Sequence, residues 1–303
     1  MERIKEMKFI KDILKGVVIG VANAIPGVSG GTMMVSMGVY DDIIYCITHL
    51  FKQLKKSIMI LLPYFIGMVV GIIGLAFSIK SLFANFPFQT SMVFIGLILG
   101  GVPMILERVR YSGLADSENN GGERKKNNIG ILHFVIFALF LLAIVAMQYF
   151  GGDGGDVTLT VDIISAIKIF FIGILASATM VIPGVSGSMM LMILGYYNPI
   201  INSITDFITA LSNGEIDKLI TICGSLVPFG LGVVIVIFAI AKLIEVLLKK
   251  FESYTYCAIL GLVAASPIVI LMGISFAGIS VAAIITGVIA LIAGIFAASQ
   301  LGK

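Results

Sequence analysis

The sequence predicts an all-α polytopic membrane protein with two inverted-topology repeats, each with a re-entrant broken-helix hairpin, plus additional spans. Hydrophobic residues make up 59% of the chain and charged residues only 12%, with a mean hydropathy of +1.10. No soluble domain of 303 residues could bury that much apolar surface. The sequence Ile-Pro-Gly-Val-Ser-Gly occurs twice, at residues 25–30 and 182–187, and each copy interrupts an apolar stretch. Broken backbone inside a membrane is tolerated where it is buried in protein or lines a cavity.

The first predicted repeat covers residues 1–106. Its basic N-terminal segment imitates a signal peptide, but cleavage after Ala24 would destroy one copy of the repeated motif. We therefore interpret this segment as a retained interfacial helix that leads into the membrane. The elements that follow are a re-entrant hairpin over 16–48 and two spans over 58–79 and 90–106.

The rest of the chain is predicted to hold a linker, a connecting span and a second repeat. Residues 107–130 have the polar, glycine-containing composition of a flexible cytoplasmic linker, and residues 131–150 form the connecting span. The second repeat covers 160–273, with a re-entrant hairpin over 165–205 and two spans over 219–243 and 254–273. A C-terminal span covers 274–303.

The repetition extends beyond the six-residue motif. An offset of 157 pairs Gly38 with Gly195 and Tyr40 with Tyr197. Further along, an offset of 165 pairs residues of the spans: Pro63 with Pro228, and Gly96 with Gly261. Two homologous units therefore follow one another in the chain.

The positions of the basic residues predict the topology. If each hairpin returns to the side from which it came, most lysines and arginines share one face, as the positive-inside rule requires for cytoplasmic segments. A single crossing at 16–48 would place the lysines of 52–56 outside. A full two-span hairpin has the same parity, but arms of about fifteen residues, rising ~1.5 Å each, fall short of a ~30 Å core. Both termini are then cytoplasmic and the repeats are inverted, an arrangement found in many alternating-access transporters.

The residue types of the two motifs suit an anion such as phosphate. Helix N-termini in a low dielectric offer free N–H groups, serine caps them, and glycine allows a ligand close to the chain. The candidate substrate-binding residues are Asn23, Ser29, Gly30, Gly31, Thr32, Thr179, Ser186, Gly187 and Ser188. Candidate residues that shape the tips are Pro26, Gly27, Pro183 and Gly184. The alternative is that these small residues serve only close helix packing.

Other functions lack their signatures in the sequence. No nucleophile–base set, nucleotide-binding fingerprint or metal-ligand spacing is present, so we expect no enzyme activity, no cofactor and no metal. The net charge of +3 does not indicate nucleic acid as a partner. Asp41 and Asp42 follow the first motif and are either sites for a coupling ion, a proton or sodium, or solvated carboxylates at the hairpin's cytoplasmic end.

At Asn23-Ala-Ile-Pro-Gly-Val-Ser-Gly-Gly-Thr32 and Ile182-Pro-Gly-Val-Ser-Gly-Ser188, the chain resembles the prokaryotic polyprenyl-phosphate transporter family, long described as a membrane domain of unknown function. The resemblance covers essentially the whole chain. It implies a flippase that returns undecaprenyl phosphate, or a similar lipid carrier, from the outer to the inner leaflet for cell-wall and other envelope synthesis. It also implies membrane lipids as partners. The alternative is a secondary transporter or channel for a small soluble ion that uses the same tips.

Overall fold

Twelve helices make up almost all of the described part of the chain in this computed structural model. The structure describes residues 2–24, 28–112, 125–151, 154–160, 162–274, 276 and 279–302. The helices are α1 Glu2–Ala24, α2 Gly30–Ser36, α3 Tyr40–Thr48, α4 Leu54–Asn85, α5 Pro87–Arg110, α6 Ile131–Phe150, α7 Ile163–Val181, α8 Gly187–Ile193, α9 Tyr197–Asn213, α10 Ile216–Lys250, α11 Glu252–Met272 and α12 Val281–Leu301. A short antiparallel pair, β1 Tyr111–Ser112 with β2 Lys125–Lys126, joins the two ends of the predicted linker.

Seven of these helices contain a segment long and apolar enough to cross a membrane: α4, α5, α6, α7, α10, α11 and α12. Large apolar side chains cover the outside of the molecule, as in α6, where Ile131, Phe134 and Phe150 are more than 70% exposed. In water such a surface would be unfavourable, whereas in a bilayer it faces lipid tails. The predicted all-α polytopic fold class is therefore confirmed, and the protein is a multi-pass membrane protein.

Glycine contacts show that the two units pack in the same way. Helix α1 lies against α4, and α7 lies against α10. A Cβ atom built on Gly16 would lie 2.4 Å from the carbonyl oxygen of Tyr64, and one on Gly173 would lie 2.3 Å from that of Phe229. In both units the helices approach so closely that only hydrogen atoms fit between them, as is common in membrane helix pairs.

The last helix of each unit is covered by a helix adjoining the other unit in sequence. Helix α12 packs on α5 and α6 packs on α11. A Cβ on Gly96 would lie 2.2 Å from the oxygen of Leu291, and a Cβ on Gly261 would lie 2.4 Å from the oxygen of Phe137. The sequence suggests a connector and an appended span, but in the structure α6 and α12 occupy equivalent places.

In both predicted hairpins, the arm that follows the break consists of two helices rather than one. In the first, α2 and α3 meet at Gly38, whose φ is 66°; in the second, α8 and α9 meet at Gly195, whose φ is 75°. Glycine adopts this left-handed conformation without steric cost, which explains why both positions are glycine. The arm that precedes the break in the first hairpin is continuous with the basic N-terminal segment, because α1 runs unbroken from Glu2 to Ala24.

The main hydrophobic core surrounds the first hairpin and joins both units. Its fully buried members include Met33 of α2, Ile98 of α5 and Val263 of α11. A smaller cluster lies beside the second hairpin, where Val185 packs with Leu262 of α11 and Ile144 of α6. Helices α5 and α11 therefore form the support against which the two hairpins are placed.

Candidate functional site

The two repeated motifs meet at a buried contact inside the protein. The backbone N–H of Gly184 donates a 2.7 Å hydrogen bond to Oγ1 of Thr32, which is 0% exposed. The same Oγ1 lies 3.4 Å from Oγ of Ser266 on α11. A Cβ on Gly31 would lie 3.2 Å from Cα of Pro183, so the backbones of the two motifs nearly touch. This junction brings together four of the predicted residues: Gly31, Thr32, Pro183 and Gly184.

A serine caps the short helix that follows each break. Oγ of Ser29 accepts a 3.4 Å hydrogen bond from the N–H of Thr32, and Oγ of Ser186 accepts a 3.4 Å bond from the N–H of Met189. Both serines have the extended backbone conformation that an N-cap residue adopts. In the second motif, the hydroxyl of Ser188 lies 2.8 Å from that of Ser186, so two hydroxyl groups are paired at this tip.

The next-to-last residue of the helix before each break contacts the second glycine of the motif. A Cβ on Gly30 would lie 2.3 Å from Oδ1 of Asn23, and a Cβ on Gly187 would lie 2.4 Å from Cγ of Met180. Asn23 and Met180 are related by the 157-residue offset, so the contact is repeated but its chemistry is not. Asn23 thereby adds an amide group to the first tip.

Two groups of predicted site residues are placed differently. The hydroxyl of Thr179 donates to the carbonyl oxygens of Ala176 and Leu175 within its own helix, at 2.7 and 3.2 Å. Pro26 and Gly27 lie outside the described residues. Gly184 has a φ of 84° and its position is backed by the carbonyl oxygen of Leu262, so the turn at this tip needs glycine.

A cavity lies at the elbow of each hairpin, and the two cavities differ in size. The elbow at Gly195 borders a cavity of about 390 Å³, whose lining includes Gln148, Met189, Tyr197 and Asn198. The elbow at Gly38 borders one of about 30 Å³. Its lining includes Tyr40, Asp41, Arg108 and Tyr256. The repeat offset relates Tyr40 to Tyr197 and Asp41 to the residue Asn198, so the cavities occupy equivalent places.

Sequence reasoning missed two residues that join the hairpins to their surroundings. The hydroxyl of Tyr40 donates a 3.1 Å hydrogen bond to the carbonyl oxygen of Val181, at the end of α7. Ser266 contacts Thr32, as described above. Tyr40 carries a signal, because it recurs as Tyr197, whereas Ser266 has Gly101 as its counterpart and nothing in the sequence marks its hydroxyl.

The fold and the site define a polytopic helical membrane protein in which two equivalent broken hairpins meet at a buried polar junction. No solved structure matches the chain. A family model described as undecaprenyl phosphate translocase-like matches residues 19–277, and the chain belongs to this family.

Two similar proteins carry the name polyprenyl-phosphate transporter. The one from Staphylococcus aureus is 27% identical over 274 residues, which cover 89% of this chain and 89% of that protein. The one from Vibrio cholerae is 25% identical over 272 residues, covering 85% of this chain and 76% of that protein. The family to which the sequence shows a resemblance is thereby confirmed.

Proposed function

We propose that the protein transports a polyprenyl phosphate such as undecaprenyl phosphate, returning it from the outer to the inner leaflet of the prokaryotic cytoplasmic membrane. The lipid would then be reused for cell-wall and other envelope polymers. The observation that carries this proposal is the buried junction of the two motifs, supported by the names of the two similar proteins. A lipid phosphate needs polar contacts for its headgroup and an apolar surface for its tail, and this molecule offers both.

The phosphate would bind at the tips of the two hairpins. The hydroxyl groups of Ser29, Thr32, Ser186 and Ser188 would supply polar contacts. The glycines at 30, 31 and 187 would meet the ligand once Asn23, Pro183 and Met180, which fill the space beside them, move away. In this structure the hydroxyl oxygen of Thr32 is bonded to the N–H of Gly184. A phosphate oxygen would take the place of that hydroxyl oxygen and accept from the same N–H. Hydrogen bonds to a charged acceptor are the stronger kind, which favours the exchange.

The repeats would have opposite orientations in the membrane. Helices α4, α5 and α6 separate the two hairpins, so three crossings lie between them if each hairpin returns to its own side. The basic residues favour entry of the first hairpin from the cytoplasm and of the second from outside, with both termini cytoplasmic. Inverted repeats that meet at a midplane site are the common basis of alternating access.

The difference between the two cavities then corresponds to one state of the transport cycle. In this orientation the 390 Å³ cavity at Gly195 faces outward and the 30 Å³ cavity at Gly38 faces the cytoplasm. A phosphate headgroup fits the first volume and not the second. The arrangement is therefore open to the outer leaflet and closed to the inner one.

Leaflet-resolved transport in proteoliposomes tests this function. Wild-type protein and the variant Ser29→Ala plus Ser186→Ala are reconstituted with undecaprenyl phosphate, and the lipid exposed on each side is measured over time with and without imposed ion gradients. We expect the double variant to lose at least tenfold in rate, because it removes a hydroxyl from each tip. Ser212→Ala, on the exposed face of α9, is the matched control and should match wild type. Unchanged transport by the double variant would refute the site. A wild-type protein that moves no lipid under any gradient would refute the function.

A further inference from the structure

A second polar centre lies at the elbow of the first hairpin, away from the tips. Asp41, at the start of α3, accepts a hydrogen bond at Oδ2 from the hydroxyl of Tyr256 on α11. Its other carboxylate oxygen, Oδ1, is buried and has no hydrogen-bond partner among the described residues. A buried carboxylate oxygen without a hydrogen-bond donor is costly, which favours a proton on this oxygen.

Arg108 of α5 is the positive charge of this centre. It lines the 30 Å³ cavity with Asp41 and interacts electrostatically with that carboxylate. Its guanidinium carbon lies 5.8 Å from the ring centroid of Tyr256, and its Nη1 atom lies 3.8 Å from Oε1 of Glu252. The side chain is 20% exposed, so a ligand that enters from the open end of the cavity can reach it.

The charged and titratable groups around Asp41 come from three helices. Helix α3 contributes Tyr40 and Asp42, and Asp42 is exposed to solvent. Helix α5 contributes Arg108, and α11 contributes Tyr256 and Glu252. Helix α10 meets the far end of α3, where His49 lies 3.9 Å from Glu245. The guanidinium of Arg108 therefore interacts with the carboxylates of Asp41 and Glu252 and borders a cavity large enough for a water molecule.

We propose that Asp41 binds a proton together with the substrate phosphate, with Arg108 as the partner for which the carboxylate and the phosphate compete. The inference rests on the proposed function, because it takes a lipid phosphate as the anion. One proton from water adds to Oδ1 of Asp41 and forms an O–H bond, and the carboxylate loses its charge. Arg108 is then free of that attraction and pairs with a phosphate oxygen that arrives from the tips once the cavity at Gly38 widens toward the cytoplasm. Release of the phosphate restores the carboxylate and returns the proton to water.

The coupling between the two ligands must be reciprocal. If protonation of Asp41 tightens phosphate binding by some factor, bound phosphate raises the affinity of Asp41 for its proton by the same factor. Typical coupling factors between two sites are about 5- to 150-fold. The equivalent residue of the second hairpin is Asn198, which cannot titrate and instead donates a 3.0 Å hydrogen bond to Asp156, so only the first hairpin has its carboxylate at this position.

Proton uptake on ligand binding tests the proposal. A short, water-soluble polyprenyl phosphate is titrated into the full-length protein in detergent, and the heat is compared in two buffers with different ionisation enthalpies. We expect wild type to take up about one proton more than Asp41→Asn near neutral pH, where asparagine imitates the neutral acid and still accepts from Tyr256. Subtracting the proton number of Asp41→Asn from that of wild type cancels the protons that the phosphate itself gains or loses. Repeating the titration with and without sodium shows whether sodium replaces the proton.

Controls separate the proposal from its alternatives. The exposed neighbour variant Asp42→Asn should match wild type in proton number and affinity. Arg108→Gln should bind at least tenfold more weakly and lose the additional proton. Equal proton numbers for wild type and Asp41→Asn, or sodium uptake in place of the proton, would overturn the proposal while leaving transport intact. A wild-type protein that binds no lipid phosphate would instead contradict the proposed function.

Discussion

The two hairpins share a sequence motif but differ in their surroundings. In the first, almost all of α2 is buried, because it packs on α5 and inside the main core. In the second, Gly187 is the buried residue of α8, and the large cavity lies beside that helix. The local shape is the same: a serine cap, a seven-residue helix and a glycine elbow. A motif therefore specifies the shape of a hairpin, while neighbouring helices decide whether it is closed or open.

The contact that closes the first hairpin has no equivalent in the second. A Cβ on Gly101 of α5 would lie 2.2 Å from Cα of Ser36, and the hydroxyl of Ser36 donates to the carbonyl oxygen of Ile98 at 3.5 Å. In the second unit, Ser266 replaces Gly101 and Ile193 replaces Ser36. Helix α8 therefore cannot approach α11 as closely as α2 approaches α5. If the protein works by alternating access, the second hairpin therefore cannot adopt the closed arrangement of the first. The outward-open and inward-open states would then differ in structure.

The largest effect is expected where the two units are alike. Gly67→Ala and Gly232→Ala each place a methyl group about 2.1–2.2 Å from a backbone oxygen, of Ile13 and Phe170 respectively. Overpacking of this kind costs about 1–3 kcal/mol, and we expect similar losses in both units. Gly230→Ala is the matched control on α10, since nothing lies within 4 Å of its Cβ position. Denaturation in detergent, followed by circular dichroism, measures the free energies of unfolding. A loss of stability in only one of the two alanine variants would contradict the conclusion that the two units pack in the same way.

The elbows should separate backbone strain from steric contact. Gly38, Gly195 and Gly214 have φ angles of 66°, 75° and 71°, so alanine is strained at each. At Gly195 the new Cβ would also lie 2.0 Å from the backbone oxygen of Gly155, at Gly38 it would meet the flexible side chain of Met104, and at Gly214 it meets nothing. We therefore expect the loss of stability to fall in the order Gly195→Ala, Gly38→Ala, Gly214→Ala, with a loss of about 1 kcal/mol for the last. Thermal unfolding of the three purified variants gives this order, and equal losses would show that strain alone matters.

How much of this could be read from the sequence depends on which residues carry the signal. The motif, its offset and the elbow glycines are repeated, so both hairpins and their caps at Ser29 and Ser186 follow from local chemistry. The bond between Thr32 and Gly184 could not be predicted, because it joins residues 152 positions apart and the counterpart of Thr32 is Met189, which has no hydroxyl. The equivalence of α6 and α12 could not be predicted either. The two helices share no motif, and they are equivalent only because each packs on the last helix of a unit.

The tip junction should be weakened by loss of a single oxygen atom. Thr32→Val keeps the shape of the side chain but removes the acceptor of the Gly184 N–H, and a buried donor without a partner costs about 1–3 kcal/mol. Thr32→Ser retains the hydroxyl and is the matched control. At the equivalent position of the second hairpin, Met189→Leu should change stability by less than ~1.5 kcal/mol. Unfolding midpoints of the three variants decide whether the junction depends on the first hairpin. Equal midpoints for Thr32→Val and Thr32→Ser would show that the hydrogen bond contributes nothing.

The smallest effect concerns the tyrosine that follows each elbow. The hydroxyl of Tyr40 is buried and donates to the carbonyl oxygen of Val181, so it links the first hairpin to the helix that leads into the second. For Tyr197 the described residues supply no hydrogen-bond partner, and its ring borders the larger cavity. Tyr40→Phe should therefore cost about 0.5–1.5 kcal/mol, and Tyr197→Phe close to nothing. The comparison becomes sharper if the protein is also measured with a bound lipid phosphate, which under the proposed function would close the larger cavity. A cost for Tyr197→Phe that arises only in that state would mean that its hydroxyl gains a partner as the second hairpin closes.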